Sequence, residues 1–220
     1  ENNVKVKIEW INAEKIETKQ LILELQGVDG VLIPGGFGYR GIEGKIKAIK
    51  FARENNIPFF GICLGMQLSV IEISRNVLGF TDSNSTEFKT SKNPVISLMT
   101  EWNNDKKIEK RHMSSDKGGT MRLGSYKAKL KPESKVSKIY NKAEIYERHR
   151  HRYEVDLSLT NGFEEKGFIF SGMSPDNILP EVVESVNHKW FIGVQYHPEL
   201  KSRPLAPHPL FSSFIKHCMK

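Results

Sequence analysis

The stretch PFFGICLGMQ, residues 58–67, joins a short apolar run to a segment with helical periodicity and places Cys63 at the junction. A short apolar run bounded by turn-forming residues is typical of a buried strand. Gly61 and Gly65 lie two positions either side of the cysteine, where a tight turn would leave no room for a Cβ. The stretch therefore predicts a strand, a sharp turn at Cys63 and then a helix.

Strand and helix patterns alternate on both sides of this junction. They predict an α/β fold of three layers, with a mainly parallel central sheet flanked by helices. The predicted strands are VKVKIEW (4–10), GVLIPGG (30–36), IPFFGI (57–62), SYKAKL (125–130), FIFSGM (168–173), EVVESV (181–186) and WFIGVQY (190–196). The predicted helices cover residues 13–26, 43–55, 66–79 and 209–219. Between about residues 81 and 124, clusters of Asn, Ser, Lys and Gly indicate long loops instead.

The composition limits the class of protein. With 220 residues, of which 38% are hydrophobic and 27% charged, the chain fits one globular domain. No apolar run reaches the ~18 residues of a membrane span, and the first residues lack a signal-peptide pattern. Two cysteines cannot form a disulfide framework, so we expect a reducing, cytoplasmic setting. The net charge of +7 permits a nucleic-acid partner, but the basic residues are mostly spread out, and a solvated surface explains most of them.

The position of Cys63 supports two interpretations. As a nucleophile, it would occupy a cysteine version of the nucleophile elbow, and the positive helix N-terminus would lower the pKa of its thiol. As a structural residue, it would be a core cysteine at the end of a strand. The stretch alone does not separate the two. Cys218, on the last predicted helix, has no acid–base pair nearby in sequence and is interpreted as structural.

A thiolate nucleophile needs a base, and His197 has the most informative context among the seven histidines. The stretch FIGVQYHPEL, residues 191–200, places it just after an apolar strand and before Pro198 and Glu199. Residues two apart in an extended segment point to the same side, so Glu199 can orient the imidazole. The alternative is a surface His-Pro turn, but together with Cys63 the pattern favours a Cys63–His197–Glu199 triad. The other six histidines lie among charges, in predicted loops or on the last helix.

Two motifs, GICLGMQ (61–67) and QYHPE (195–199), resemble those of the class I, or triad, glutamine amidotransferases. Longer stretches resemble the glutaminase domains of the CTP synthase family, in the same order from about residue 30 to the C-terminus. They are IPGGFGYRGIEGKI (33–46), RNVLGFTDSNSTEF (75–88), SDKGGTMRLG (115–124), ERHRHRYEV (147–155) and NHKWFIGVQYHPE (187–199). The resemblance implies a flavodoxin-like α/β domain that releases ammonia from L-glutamine.

The resemblance also implies roles for individual residues. Cys63 would attack the side-chain amide of glutamine, and His197, held by Glu199, would protonate the leaving ammonia and then activate water. The implied substrate-binding residues are Gly36 and Leu64 for the oxyanion, Arg152 for the α-carboxylate, Glu87 for the α-ammonium and Gln67 for a further hydrogen bond. Arg150 remains an alternative to Arg152 for the carboxylate. The chemistry agrees, because a guanidinium binds a carboxylate through two parallel hydrogen bonds.

For the whole enzyme, the resemblance implies a synthetase domain that uses the ammonia to convert UTP to CTP. The whole enzyme would take ATP and Mg²⁺, respond to the effector GTP, and form a homo-oligomer, a tetramer. In this chain we expect one glutaminase domain over residues 1–220, without the synthetase domain or the first strand–helix unit, and with no cofactor or metal of its own. No G-x-x-x-x-G-K-[ST] phosphate loop occurs in the sequence. Phe37, Arg40 and Glu43 lie in a segment that resembles the family's GTP-responsive lid.

Two other classes of function remain open from the sequence. One is a related cysteine hydrolase, such as another class I amidotransferase or a γ-glutamyl peptidase, although NSTEF and GGTMRLG argue against it. The other is a non-catalytic basic module that binds nucleic acid or a protein, for which replacement of Cys63 would have no effect. The favoured prediction is a glutaminase with neither a nucleic-acid nor a membrane partner.

Overall fold

The computed structural model describes residues 2–14, 23–98, 101–104, 107–110 and 121–219. Within these ranges the strands are β1 Val31–Ile33, β2 Phe59–Ile62, β3 Ile96–Leu98, β4 Glu101–Asn104, β5 Lys107–Lys110, β6 Arg122–Leu130, β7 Glu144–His151, β8 Tyr153–Val155, β9 Phe168–Met173, β10 Pro180–Ser185 and β11 Phe191–Val194. The α-helices are α1 Ile42–Glu54, α2 Leu64–Asn76, α3 Lys135–Tyr140 and α4 Pro209–Cys218. Three short 3₁₀ helices cover Leu157–Leu159, Glu164–Lys166 and Pro198–Leu200. None of the helices described is both long and apolar enough to span a bilayer.

Seven strands form the central sheet, in the order β1-β2-β11-β10-β9-β6-β7. The pairs β1–β2 and β2–β11 are parallel, whereas the pairs from β11 to β7 are antiparallel. The sheet is therefore mixed, and the prediction of a mainly parallel sheet holds only for its first three strands. Ile62 at the end of β2 is in register with Val194 at the end of β11. The segments that follow these two parallel strands consequently start at the same edge of the sheet, where α/β proteins place their sites.

Helices cover both faces of this sheet and give the predicted three layers. On one face, α1 and α2 pack against β1, β2 and β11; this core includes Ile46, Ile49, Met66, Val70, Phe59 and Phe191. On the other face, α3 and α4 pack around Phe60, with Val136, Trp190, Ile192, Leu210 and Phe214. Helix α2 is buried through most of its length, so it fixes the turn before it firmly against the sheet.

The central strands and the helices after them agree with the sequence prediction, but the N-terminal part does not. Residues 4–10 form no strand; the alternating apolar side chains are exposed, and that of Trp10 is 89% exposed. Alternation alone cannot supply a pairing partner, and in the described residues this stretch pairs with no strand. The helix predicted over residues 13–26 lies largely outside the described residues, although residues 23–25 are helical and Gly27 follows them at φ +81°.

Other differences concern the second half of the chain. The region from 81 to 124, predicted as loops, contains the short strands β3, β4 and β5. The charged stretch of β7 is not among the predicted strands, yet it pairs with β6 along eight residues of each strand. Its side chains alternate between exposed and buried positions, so the polar composition hides a regular strand.

Candidate active site

Cys63 occupies the sharp turn between β2 and α2. Its backbone has φ 50° and ψ −101°, a strained conformation for a residue with a Cβ, and α2 begins at the next residue. Its N–H donates to the carbonyl of Val194 at 2.7 Å, which ties the turn to the end of β11. The predicted strand–turn–helix geometry is therefore present.

The two glycines around Cys63 are required by close backbone contacts. A Cβ on Gly61 would lie 2.7 Å from the carbonyl carbon of Gly65. A Cβ on Gly65 would lie 2.3 Å from the carbonyl oxygen of Ile33 on β1. Any other residue at either position would push α2 away from the sheet, which accounts for the glycine spacing that the sequence displays.

His197 and Glu199 form the expected acid–base pair. The Nδ1 atom of His197 lies 2.6 Å from Oε1 of Glu199. The His197 N–H donates to the carbonyl of Arg148 at 2.8 Å, and Pro198 starts the short 3₁₀ helix that carries Glu199. The imidazole is thus held from its backbone and from one ring nitrogen. The other, Nε2, is buried and has no hydrogen-bond partner among the described residues.

The structure brings this pair and Cys63 together across Gly35. A Cβ on Gly35 would lie 2.8 Å from Cε1 of His197 and 3.6 Å from the Cβ of Cys63. The next residue, Gly36, faces Leu64, since a Cβ there would lie 3.3 Å from the Leu64 side chain. The turn after β1, the turn after β2 and the segment after β11 therefore meet at one place on the sheet edge.

The environment of the sulfur differs from the sequence expectation. Cys63 is 2% exposed, and burial raises the pKa of its thiol to about 12. A backbone hydrogen bond from Leu64 lowers this pKa, while the negative charges of Glu154, Glu199 and Glu87 raise it further. The prediction of a thiol pKa lowered by the helix N-terminus was therefore wrong, because desolvation outweighs the contribution of the backbone N–H.

Two buried glutamine side chains line the turn on the inner side. Gln67, on the first turn of α2, donates from Nε2 to the carbonyl of Tyr153 at 2.9 Å and to Oε1 of Gln195 at 3.2 Å. Gln195 in turn donates from Nε2 to Sγ of Cys63 at 3.8 Å. On its other side the sulfur lies 4.0 Å from the carbonyl oxygen of Arg150. Sequence reasoning missed Gln195, although its place in the QYHPE motif, two residues before the histidine, is a usable signal.

The residues expected to hold the α-carboxylate and α-ammonium of glutamine are Arg152, with Arg150 as its alternative, and Glu87. Oε1 of Glu87 accepts from the N–H of Gly38 at 2.8 Å, which ties it to the loop after β1. Arg152 is half-buried at the bend between β7 and β8. Arg150 is exposed, and its guanidinium carbon lies 5.8 Å from the ring centroid of Phe37.

A buried polar cluster lies beneath these elements. Arg122 donates to Glu181 at 2.6 Å, His149 lies 3.6 Å from the second oxygen of Glu181, and His149 Nδ1 lies 2.9 Å from His151 Nε2. Burial lowers the pKa of His149 well below its ordinary value, and the charge of Arg122 lowers it further. In sequence His149 and His151 lie among charged residues, but the structure buries both of them on β7. Across the described residues, no group of three or more His, Cys, Asp or Glu side chains is arranged to hold a metal ion.

Comparison with known proteins agrees with this geometry. The sequence model of the family "Glutamine amidotransferase class-I" matches residues 1–217. The chain therefore belongs to the class I glutamine amidotransferases. The two motifs that resemble this family are thus found where expected. One places the cysteine between a strand and a helix, and the other places a His–Glu pair after a neighbouring strand.

Within this family, the chain is similar to CTP synthases. A CTP synthase of Sinorhizobium medicae is 57% identical over 219 residues, and one of Agrobacterium fabrum is 57% identical over 215 residues. The chain spans 40% of the length of each. The solved glutaminase domain of Trypanosoma brucei CTPS, with bound acivicin, matches at a TM-score of 0.87 and 36% identity. That match covers 98% of this chain and 81% of the other, so the family and fold expected from the motifs are confirmed.

Proposed function

We propose that this chain hydrolyses L-glutamine to glutamate and ammonia through a γ-glutamyl thioester on Cys63. The observation that carries the proposal is the meeting of Cys63 and the His197–Glu199 pair across Gly35. A thiol beside an imidazole that a carboxylate orients is the arrangement that activates a cysteine nucleophile. The match to a glutaminase domain with bound acivicin supports the same reaction.

The first step forms the bond between Cys63 sulfur and the amide carbon of glutamine. The thiol gives up its proton in this step, and because burial raises its pKa to about 12, a base beside it is needed to take that proton. The acceptor is Nε2 of His197, which is buried and has no hydrogen-bond partner among the described residues, while Glu199 holds Nδ1 and stabilises the imidazolium. The backbone N–H groups of Gly36 and Leu64 are the proposed donors to the oxyanion, and one such donor is worth about 2.7–4 kcal/mol.

The second half of the reaction returns the thiol. The tetrahedral species collapses when the C–N bond breaks, and the imidazolium of His197 gives its proton to the leaving nitrogen, which departs as ammonia. His197 then takes a proton from water, whose oxygen attacks the thioester carbon. The C–S bond breaks, the sulfur recovers the proton from the imidazolium, and glutamate is released.

We assign recognition of glutamine to three charged or polar side chains. Arg152 is the proposed partner of the α-carboxylate, and Glu87 that of the α-ammonium. Glu87 already accepts from Gly38, so it also holds the loop that presents Gly36. Both side-chain donors of Gln67 are used by Tyr153 and Gln195, which leaves its carbonyl oxygen as the group that it can offer to substrate.

In the whole protein, we propose that the ammonia is supplied to a linked synthetase domain for the ATP-dependent amination of UTP to CTP. The 57% identity to CTP synthases that are longer than this chain supports this assignment. ATP, Mg²⁺ and the effector GTP belong to that larger enzyme, as does the proposed tetramer. The proposed cytoplasmic setting rests on Cys63 and Cys218, which are both free cysteines.

The proposal is tested by replacing each cysteine in turn. We expect Cys63→Ala to abolish release of glutamate and ammonia, and to abolish the covalent mass increase produced by acivicin. Cys218→Ala is the matched control and keeps both. Glutamine hydrolysis that persists in Cys63→Ala, or an adduct on Cys218, would contradict the proposal. γ-Glutamyl peptides assayed in parallel separate a glutaminase from a γ-glutamyl peptidase, since a glutaminase hydrolyses free glutamine faster.

A further inference from the structure

Gln195 is a fully buried polar side chain that follows β11 and reaches the nucleophile. Its Nε2 atom lies 3.8 Å from Sγ of Cys63, within the range of hydrogen bonds to sulfur. Its Oε1 atom accepts from Gln67 Nε2 at 3.2 Å, and the same Gln67 nitrogen donates to the carbonyl of Tyr153 at 2.9 Å. The two side-chain amides therefore form a chain of hydrogen bonds that links a backbone carbonyl on β8 to the sulfur.

The donor and the acceptor of each hydrogen bond in this chain follow from the groups themselves. The carbonyl of Tyr153 can only accept, so Gln67 must turn its NH₂ group toward it. The second hydrogen of that NH₂ then points to Gln195, which must present its oxygen. Gln195 is thereby left with its own NH₂ facing Cys63, and it can only donate to the sulfur.

A donor at this position addresses the main electrostatic cost of the reaction. Burial and the nearby carboxylates of Glu154, Glu199 and Glu87 all disfavour negative charge on the sulfur. The proposed reaction places such charge there twice, when the thiol loses its proton and when the thioester C–S bond breaks. A buried neutral amide stabilises it without adding a second cation that would compete with the imidazolium.

We propose that Gln195 assists the reaction directly by donating its side-chain N–H to the Cys63 sulfur, and that Gln67 is a positioning residue that keeps Gln195 in this orientation. The inference rests on the proposed function, because it assigns the sulfur a nucleophilic role. During acylation the donor stabilises the sulfur as the S–C bond forms and its proton passes to His197. During deacylation it stabilises the leaving thiolate until the imidazolium returns that proton.

The test measures the thiolate itself rather than turnover. Iodoacetamide alkylates thiolates, so its rate at Cys63, followed by mass spectrometry of the Cys63 peptide, reports the thiolate fraction between pH 7 and 10. In a Cys218→Ala background we expect Gln195→Met to slow alkylation about 10-fold at each pH, the effect of one hydrogen bond to a charged group. Gln67→Met, which does not touch the sulfur, slows it less. Gln26→Met, at an exposed glutamine, is the control and leaves the rate unchanged.

Gln195→Glu separates donation from packing. It keeps the shape of the side chain but replaces the NH₂ group with an acceptor oxygen, so we expect slower alkylation than in the wild type. The inference is overturned if Gln195→Glu is alkylated at the wild-type rate. It is also overturned if Gln195→Met is alkylated at the wild-type rate while its circular dichroism spectrum matches that of the wild type. Neither outcome depends on glutamine. Failure of the proposed function would instead appear as glutamine hydrolysis in Cys63→Ala.

Discussion

The Nδ1 atom of His197 lies 2.6 Å from Oε1 of Glu199, whereas its Nε2 atom is buried and has no hydrogen-bond partner among the described residues. One ring nitrogen is therefore fixed as the donor to a carboxylate, and the other is the nitrogen that we propose as the acceptor for the proton of Cys63. The side chain of Glu199 is partly exposed, so it orients the ring from the solvent side. In the proposed reaction the carboxylate therefore both orients the ring and stabilises the imidazolium that forms.

Replacing that carboxylate by an amide tests this role. We expect Glu199→Gln to lower kcat for glutamine by about 100-fold, the lower end of the range for acid–base catalysis, because the amide can hold the ring but does not stabilise the imidazolium. The KM should change little, since Glu199 is not among the proposed substrate contacts. Steady-state measurement of glutamate release gives both constants. A KM rise with unchanged kcat would show that Glu199 serves binding instead.

Gly35 is the residue around which the catalytic groups meet, and its lack of a side chain is the basis of a second prediction. In Gly35→Ala the new Cβ would lie 2.8 Å from Cε1 of His197, so the imidazole must shift. A displacement of about 1 Å at a reacting group costs on the order of 100-fold in rate. We therefore expect kcat/KM to fall by about this factor, with a circular dichroism spectrum like that of the wild type. Wild-type kcat/KM in this variant would mean that the ring works from another position.

The sequence predicted those parts of the fold in which the local residue pattern matches the way the segment packs in the folded protein. The run before Cys63 is apolar because β2 is buried on both faces, and Gly61 and Gly65 are glycines because α2 lies against β1. The N-terminal stretch shows the opposite case. Val4, Val6 and Ile8 alternate as in a strand, but alternation carries no information about a pairing partner, and these side chains are exposed.

The same distinction holds for the candidate site. The pair His197–Glu199 could be predicted because both residues belong to one short segment, where spacing decides which side chains share a face. The pKa of Cys63 could not, because it depends on burial by elements distant in sequence. The strand β7 was missed for a similar reason. His149 and His151 lie against Glu181 and Glu154 from other strands, and the sequence around β7 gives no sign of these contacts.

The burial of His149 leads to a prediction about acid stability. Burial lowers its pKa below the ordinary value of 6.5, so the unfolded chain takes up a proton that the folded protein excludes. Below pH 6.5 the free energy of unfolding must then fall, by up to about 1.4 kcal/mol for each pH unit, until the folded pKa is reached. We expect His149→Gln to have a smaller loss than the wild type between pH 6.5 and 5 in urea denaturation.

His188 is the comparison for that measurement, because burial lowers its pKa as well, though less strongly. We expect His188→Gln to reduce the acid loss of stability less than His149→Gln does. Equal pH dependence in the wild type and in His149→Gln would mean that His149 gains its proton in the folded protein as readily as in the unfolded chain.

The last prediction concerns the two arginines that the sequence left open for the α-carboxylate of glutamine. Arg150 is exposed and lies over the ring of Phe37, whereas Arg152 is half-buried at the bend between β7 and β8. Because a half-buried guanidinium is less screened by solvent, Arg152 is the stronger partner for a carboxylate. We expect Arg152→Ala to raise KM for glutamine by about 10- to 100-fold, the value of a charge-assisted hydrogen bond, and Arg150→Ala to raise it several-fold less. 4-Aminobutanamide, which is glutamine without its α-carboxylate, should be hydrolysed equally by the wild type and by Arg152→Ala. A larger KM effect in Arg150→Ala than in Arg152→Ala would assign the carboxylate to Arg150 instead.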